Sequence, residues 1–281
     1  MNPSDQFRFS IDRGGTFTDI YAEVPGEPGH RVVKLLSEDP HHYEDAPREG
    51  IRRILEDVLG KPFPKVKFDT RRVQWVRMGT TVATNALLER KGARFALVIS
   101  KGFRDLLKIG KQNRPHIFDL QIQKPGVLYE TVIEVEERVR VFRENVASAG
   151  KNVVKGLDGG MFEILCAPDL ERLKNQLMEL REKGIDGLAI VLIHSYTFPD
   201  HERQIGNLAK ELGFSHVALS SQVMPRIKIV DRGQTCCVDA YLTPGIQDYL
   251  DGFRSGFVAS EMDLLFMQSD GGLIDADHFS G

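Results

Sequence analysis

The segment Phe7 to Val24, FRFSIDRGGTFTDIYAEV, restricts the fold more than any other stretch of the chain. Apolar Phe7, Phe9 and Ile11 alternate with Arg8 and Ser10, the period of a strand with one buried face. Phe17 to Val24 reads as a second strand. Between them, Asp12-Arg13-Gly14-Gly15-Thr16 holds two adjacent glycines, which permit positive φ and leave no side chain between backbone and ligand. The expectation is a hairpin whose tip presents backbone N–H groups, a hydroxyl and a carboxylate together. Such a tip suits a phosphate with its metal ion: consecutive N–H groups form an anion-binding concavity, Thr16 can donate to a phosphate oxygen, and Asp12 can hold Mg2+. Paired glycines also occur in ordinary tight turns, so both readings stay open, and only Asp12, Thr16 and Asp19 add specificity.

A chain of 281 residues can bury a large core and is long enough for two lobes. Its net charge of -3 gives no electrostatic reason to expect nucleic acid as a partner. No apolar run reaches the roughly 18 to 20 residues needed to cross a bilayer, and MNPSDQF lacks the basic and apolar regions of a signal peptide, so no membrane partner and a cytosolic location are expected. Cys166, Cys236 and Cys237 have neither zinc-knuckle spacing nor easy disulfide geometry and read as reduced, mostly buried thiols.

Along the chain, Arg31 to Leu36 supplies a third strand, giving an opening antiparallel meander. Ile51, Ile54, Leu55 and Val58 then mark a helix from about Arg48 to Leu59, closed by Gly60. His41 and His42 beside Glu44 and Asp45 read as a solvated loop. Val73 to Met78 is a strand that runs through Gly79-Thr80-Thr81 into a helix from Val82 to Arg90, which places hydroxyls and N–H groups at a helix N-terminus. Thr81 as a plain N-cap explains one threonine; the cluster Thr80, Thr81, Thr84 and Asn85 also fits a second anion-binding turn. Phe95 to Ser100, Gly187 to His194 and His216 to Ser220 are further strands, with helices starting at Pro168-Asp169 and Pro199-Asp200. This alternation predicts an α/β protein with a parallel sheet and ligands at the carboxyl ends of its strands.

Val132 to Phe142 is expected to be one half-exposed strand or two segments, and Ser148 to Gly160 an exposed connection. Arg104, Lys108, Lys111 and Arg114 border a long loop and read mainly as solvated basic surface. His194, at a strand end, reads as structural more readily than catalytic. A helix is expected through Cys236, Ala240 and Tyr241 towards Phe257, followed by a strand at Leu264 to Gln268 and the turn Ser269-Asp270-Gly271-Gly272.

Taken together, IDRGGTFTD, VRMGTTVATNALLERKGARFALV, GFRDLLKIGKQNRP, VLIHSY, PDHERQIGNLAKELGF and LLFMQSDGGL resemble, in order, the N-terminal part of the hydantoinase A and ATP-dependent 5-oxoprolinase family. LLSEDP, EDAPREGIRRIL and DAYLTPGIQDYL are most similar to its eukaryotic oxoprolinase branch. The resemblance implies an actin-like, sugar-kinase-like ATPase fold (a ribonuclease H-like lobe) with an additional α/β region. It places the family's N-terminal region at residues 6–228 and the start of the following domain at 229–281. It implies ATP-driven opening of 5-oxo-L-proline to L-glutamate in glutathione turnover, or hydrolysis of another cyclic amide such as a hydantoin. Asp12 would position Mg2+ and serve catalysis, and Gly14, Gly15, Thr16, Thr18 and Asp19 would hold the ATP phosphates. Gly79, Thr80, Thr81 and Asn85 would face the ring substrate. K+ is a further candidate ion, and a homodimer is implied for the full-length enzyme. Family members run far beyond this length and carry a second Asp-x-Gly-Gly-Thr hairpin, which Asp270-Gly271-Gly272 does not supply. The expectation is therefore an N-terminal fragment with half an ATP cleft, inactive alone, or a non-catalytic module that binds a partner.

Overall fold

The computed structural model describes residues 5–111, 113, 114, 116, 118, 120, 121, 124–143, 152–258, 262–268 and 270–276. Strands β1 (Phe7–Arg13), β2 (Phe17–Glu23) and β3 (Arg31–Leu36) form the expected meander. Helix α1 (Ala46–Leu59) follows. Asp45 caps it by accepting from the Arg48 amide, Pro47 occupies its first turn, and Gly60 ends it in the left-handed region at φ 62°. The short strand β4 (Phe68–Asp69), β5 (Val73–Thr80) and α2 (Val82–Leu88) come next. The alternating stretch then builds β6 (Phe95–Ser100), α3 (Leu106–Ile109), β7 (Thr131–Val135), β8 (Arg138–Val141), β9 (Val153–Lys155) and β10 (Met161–Cys166). After these come α4 (Leu170–Glu182), β11 (Gly187–Val191), α5 (Asp200–Glu211), β12 (His216–Leu219), α6 (Ser220–Val223) and the long α7 (Ile229–Ser255). Strands β13 (Phe257–Val258), β14 (Asp263–Met267) and β15 (Leu273–Asp275) close the described chain.

Two compact units result, and the first is discontinuous: residues 1–91 with 245–281, and 92–244. In the first, six strands run in the order β15-β14-β5-β1-β2-β3, with β5 parallel to both β1 and β14. One face of this sheet is apolar and buried through Phe9, Ile11, Ile20, Val76, Met78 and Phe266. Helix α1 lays Ile51, Ile54 and Leu55 towards the core. It approaches closely because Gly50 has no side chain; a β-carbon there would lie 2.5 Å from Ile20 Cδ1.

The second unit has a parallel sheet, β12-β11-β6-β7. Its central strands are buried at every position, as the unbroken apolar runs FALVIS and GLAIV require. Leu188 and Ile190 of β11 join Leu173, Leu177, Ile205 and Ala209 of α4 and α5 in one core. On the other face, a β-carbon at Gly233 of α7 would come 3.2 Å from Val191, and Cys236 lies against the carbonyls of Ile190 and Ala218.

Several expectations change in detail. Val132 to Phe142 takes the expected two-segment form, with the new detail that the segments join two different sheets, buried Glu137 between them accepting from Ser100 and pairing with His201. The expected connection at Ser148 to Gly160 lies outside the described residues up to 151, and beyond them contains β9, which pairs with the unforeseen β10. Ser269 is likewise outside the described residues. Cys166 is exposed, whereas burial pushes Cys237 up to about 12 and Cys236 well above the usual thiol range, so both stay protonated. Among the described residues no helix is long and apolar enough to cross a membrane.

Candidate functional site

The hairpin tip and the turn after β5 are neighbours. Parallel pairing of β1 with β5 sets Asp12 beside Gly79 and Arg13 beside Thr80, so both loops leave the sheet at its carboxyl end. The Thr81 amide donates to the Arg13 carbonyl at 3.1 Å, which carries that alignment one residue past the strands. Asn85, one turn into α2, donates to the Thr81 hydroxyl at 3.3 Å. A β-carbon on Gly15 would lie 3.0 Å from its Nδ2. Gly79, Thr80, Thr81 and Asn85 are thus brought to the same place as Asp12, Gly14, Gly15 and Thr16.

The glycines serve for a different reason than expected. Neither Gly14 nor Gly15 is in the left-handed region. Gly14 closes the turn with its amide 3.0 Å from the Phe17 carbonyl, and a β-carbon there would stand 3.0 Å from that same oxygen. Space, not φ, demands glycine at position 14, whereas at Gly15 the close atom is the tip of the flexible Asn85 side chain.

Asp12 is exposed, and among the described residues no group pairs with its carboxylate. Nor, among them, do the amides of Gly15 and Thr16 or the Thr16 hydroxyl make a hydrogen bond. Two free N–H groups, a hydroxyl and a carboxylate therefore converge, which matches the chemistry of a metal-bound phosphate. Asp19 is cross-strand to Asp12 but is held by Lys34 at 3.0 Å. Thr18 is fully buried, its side chain on the same face as Ile20, and its hydroxyl meets the Ser37 hydroxyl at 3.0 Å, behind the tip.

Ser37 was not evident from sequence. Its hydroxyl donates to the Gly14 carbonyl at 2.7 Å and its amide to the Thr16 carbonyl at 2.9 Å, fixing the loop from the end of β3. Nothing local marks it; the register of β2 on β3 brings it there. Thr81 occupies the N-cap position of α2 but makes no side-chain capping bond. Its hydroxyl lies 3.4 Å from the Arg13 carbonyl instead.

Beneath the tip, the Arg13 guanidinium stacks 4.7 Å from the Tyr249 ring centroid, and its buried Nε has no hydrogen-bond partner among the described residues. Burial pushes both the Tyr249 phenol and the Asp45 carboxyl above their usual ranges, with Arg13 and Arg48 opposing the shift at each.

In the second unit, His194 has a positive φ of 59° and packs near Phe162 and Tyr196. Burial lowers its pKa, and its Nδ1 has no partner among the described residues. Of the basic residues near the long loop, Lys111 pairs with Asp231 at 2.5 Å. His42 bonds to Asp39, and no cluster of three or more metal-ligating side chains occurs among the described residues.

Comparison with known proteins bears on this geometry. The model of the hydantoinase/oxoprolinase N-terminal region matches residues 8–213, and that of the hydantoinase/oxoprolinase domain matches residues 232–281. A protein named 5-oxoprolinase 1 from Arabidopsis thaliana is 55% identical over 279 residues, covering 98% of this chain and 22% of its own length. A 5-oxoprolinase of Dictyostelium discoideum is 52% identical over 282 residues, with the same coverage. The chain thus spans about a fifth of these relatives. Among solved structures, an ATP-dependent caprolactamase from Pseudomonas jessenii has a TM-score of 0.69 at 24% identity over 95% of this chain and 36% of its own. A nucleotide-free acetone carboxylase has a TM-score of 0.68 at 20% identity, over 95% and 37%. These two likenesses concern the fold, a mixed α/β one.

Proposed function

The chain belongs to the hydantoinase/oxoprolinase family, and from that premise we propose that its hairpin tip holds ATP phosphates in an enzyme that opens 5-oxo-L-proline to L-glutamate. The observation that carries the reading is the β1–β5 register, which gathers an unpaired carboxylate and unpaired donors where a parallel sheet presents its ligands. Relatives at 55% and 52% identity that are named 5-oxoprolinase support the substrate, and the lower-identity caprolactamase supports lactam opening in general.

In this reading Asp12 would hold Mg2+, its carboxylate set beside the terminal phosphoryl group. The amides of Gly15 and Thr16 and the Thr16 hydroxyl steady the phosphate oxygens as charge shifts during transfer. Gly14 shapes the tip, while Thr18 and Asp19 act by holding β2. Bound Mg2+, with K+ as a further candidate, supplies charge neutralisation at the phosphates. An amide is a poor electrophile; moving the terminal phosphoryl group to the lactam oxygen makes that oxygen a leaving group. ADP leaves, water then adds to the ring carbon, and the C–N bond breaks to give the free amine and an acyl phosphate, which a second water cleaves to the carboxylate and inorganic phosphate. Gly79, Thr80, Thr81 and Asn85 are the residues we assign to the ring. Cytosolic location, glutathione turnover and a homodimer of the full-length enzyme belong to the same proposal.

The test is ATP-dependent formation of glutamate from 5-oxoproline by a polypeptide that joins this chain to the remaining sequence of a relative. Turnover of hydantoins or caprolactam in place of 5-oxoproline would move the substrate to another cyclic amide, and no ATP-dependent turnover of any of them would sink the reading.

A further inference from the structure

The six-stranded sheet of the first unit has a second face, opposite Ile20, Met78 and Phe266. Strand alternation puts Phe17 and Tyr21 of β2, Val32 and Leu36 of β3, Met267 of β14 and Leu273 of β15 on it. A sheet that keeps one face in water normally alternates apolar inside with polar outside. Here the central strand β1 follows that rule with Arg8, Ser10 and Asp12, but towards the flanks six apolar side chains are between 44% and 54% exposed. Phe17 lies across from Leu36 and Tyr21 across from Val32 in the β2–β3 register, and Met267 from Leu273 in the β14–β15 register. Apolar side chains thus occupy both flanks of this face, separated by the Lys34–Asp19 pair on β3 and β2 and by Arg77 over Trp75 on β5, a mixture of apolar anchors and polar groups found in surfaces that meet another layer.

We infer that this face is the docking surface for the polypeptide that the relatives carry beyond the part matched here, and that this polypeptide covers its apolar flanks. Two observations favour this occupant over a second copy of the chain. The structural neighbours match 95% of this chain with 36% and 37% of their own, so in them the same fold accompanies a much larger body of protein. The face also adjoins the phosphate tip: Phe17 follows Thr16 directly, and the Met267 methyl would lie 3.6 Å from a β-carbon on Gly79. A layer seated there brings further groups to the open side of the tip, whereas a second copy would bring a second tip. The inference rests on family membership and not on the proposed substrate.

Maleimide labelling tests it. Val32→Cys and Tyr21→Cys are made in a Cys166→Ser background, in this chain alone and in this chain joined to the remaining sequence of the Arabidopsis relative. Labelling at both positions is expected to slow at least tenfold in the joined chain, while Leu157→Cys, 74% exposed in the second unit, labels equally in both. Equal rates at Val32 and Tyr21 in the two proteins overturn the inference. So does slow labelling in the isolated chain together with a doubled mass, which makes a second copy the occupant. If the joined chain is insoluble, the two parts are produced together, and their failure to copurify overturns it as well. Labelling needs no turnover, so a wrong substrate assignment leaves the result readable.

Discussion

Asp12 and Gly79 lie side by side on parallel strands, with the position of a Gly79 β-carbon 3.9 Å from the Asp12 Oδ1. That adjacency joins the hairpin to the turn after β5, and it makes the contribution of Asp12 separable from folding.

Asp12→Ala is expected to lower kcat/KM of the joined enzyme at least 100-fold through loss of the metal-holding carboxylate. In this chain the same change should move the urea unfolding free energy by no more than about 0.5 kcal/mol, since the side chain is exposed and unpaired. Turnover that survives the substitution would show that the hairpin is misassigned.

Glycines at the site should differ in tolerance. At Gly14 an added methyl meets a backbone oxygen at 3.0 Å, so Gly14→Ala should destabilise by about 1 to 3 kcal/mol. At Gly79 the nearest atoms are at 3.6 and 3.9 Å, ordinary contact distances, and Gly79→Ala should be nearly neutral. Denaturant midpoints of the two variants decide the order.

Arg232 has no exposed surface and donates to the Leu192, Arg226 and Ile227 carbonyls and to the Ser220 hydroxyl. Glu202, also without exposed surface, accepts from Leu192 N, Ser220 Oγ and Ser221 N. The two buried charges are bridged by the Ser220 hydroxyl, and removing Arg232 takes away the cation that offsets Glu202 and the donors to three carbonyls, so Arg232→Met should cost about 3 to 5 kcal/mol. Hydrogen exchange at β11 and β12 should rise first, and unchanged exchange there would show the network to be dispensable.

Burial lowers the His194 pKa, with Arg232 and Arg138 acting in the same direction and Glu137 against it. The folded protein therefore favours the neutral ring, and the unfolded chain binds the extra proton first. Stability from this group is complete above the unfolded value near 6.5 and is lost as pH falls through the folded value. His194→Asn, which tolerates the left-handed backbone, should flatten the fall in stability below pH 6.5, as followed by chemical denaturation at stepped pH. An unchanged pH profile would remove His194 as its source.

Much of this was legible in order along the chain. Alternation marked β1 and β2, Gly60 marked the end of α1, and unbroken apolar runs marked β6 and β11. What sequence could not show depends on register. Ser37 reaches Gly14 only because β3 lies along β2, and Asn85 reaches Gly15 only because β5 lies along β1. The resemblance sets Thr18 among the phosphate ligands, and it is the register of β2 between β1 and β3 that turns its side chain to the buried face. The strand β9 was hidden by its short length and its neighbouring glycine and lysine residues, and its pairing with β10 is what makes it a strand.

The discontinuity of the first unit also sets a timetable for synthesis. Strand β5 lies in the sheet between β1 and β14, and Trp75 waits for Asp263, about 190 residues later; at ribosomal rates this is roughly 10 to 40 s. Throughout that interval the β5 edge is an unpaired template, and residues 92–244 emerge whole before it is closed. Nascent chains arrested short of Asp263 should therefore yield a protease-resistant second unit beside a first unit that still needs a chaperone.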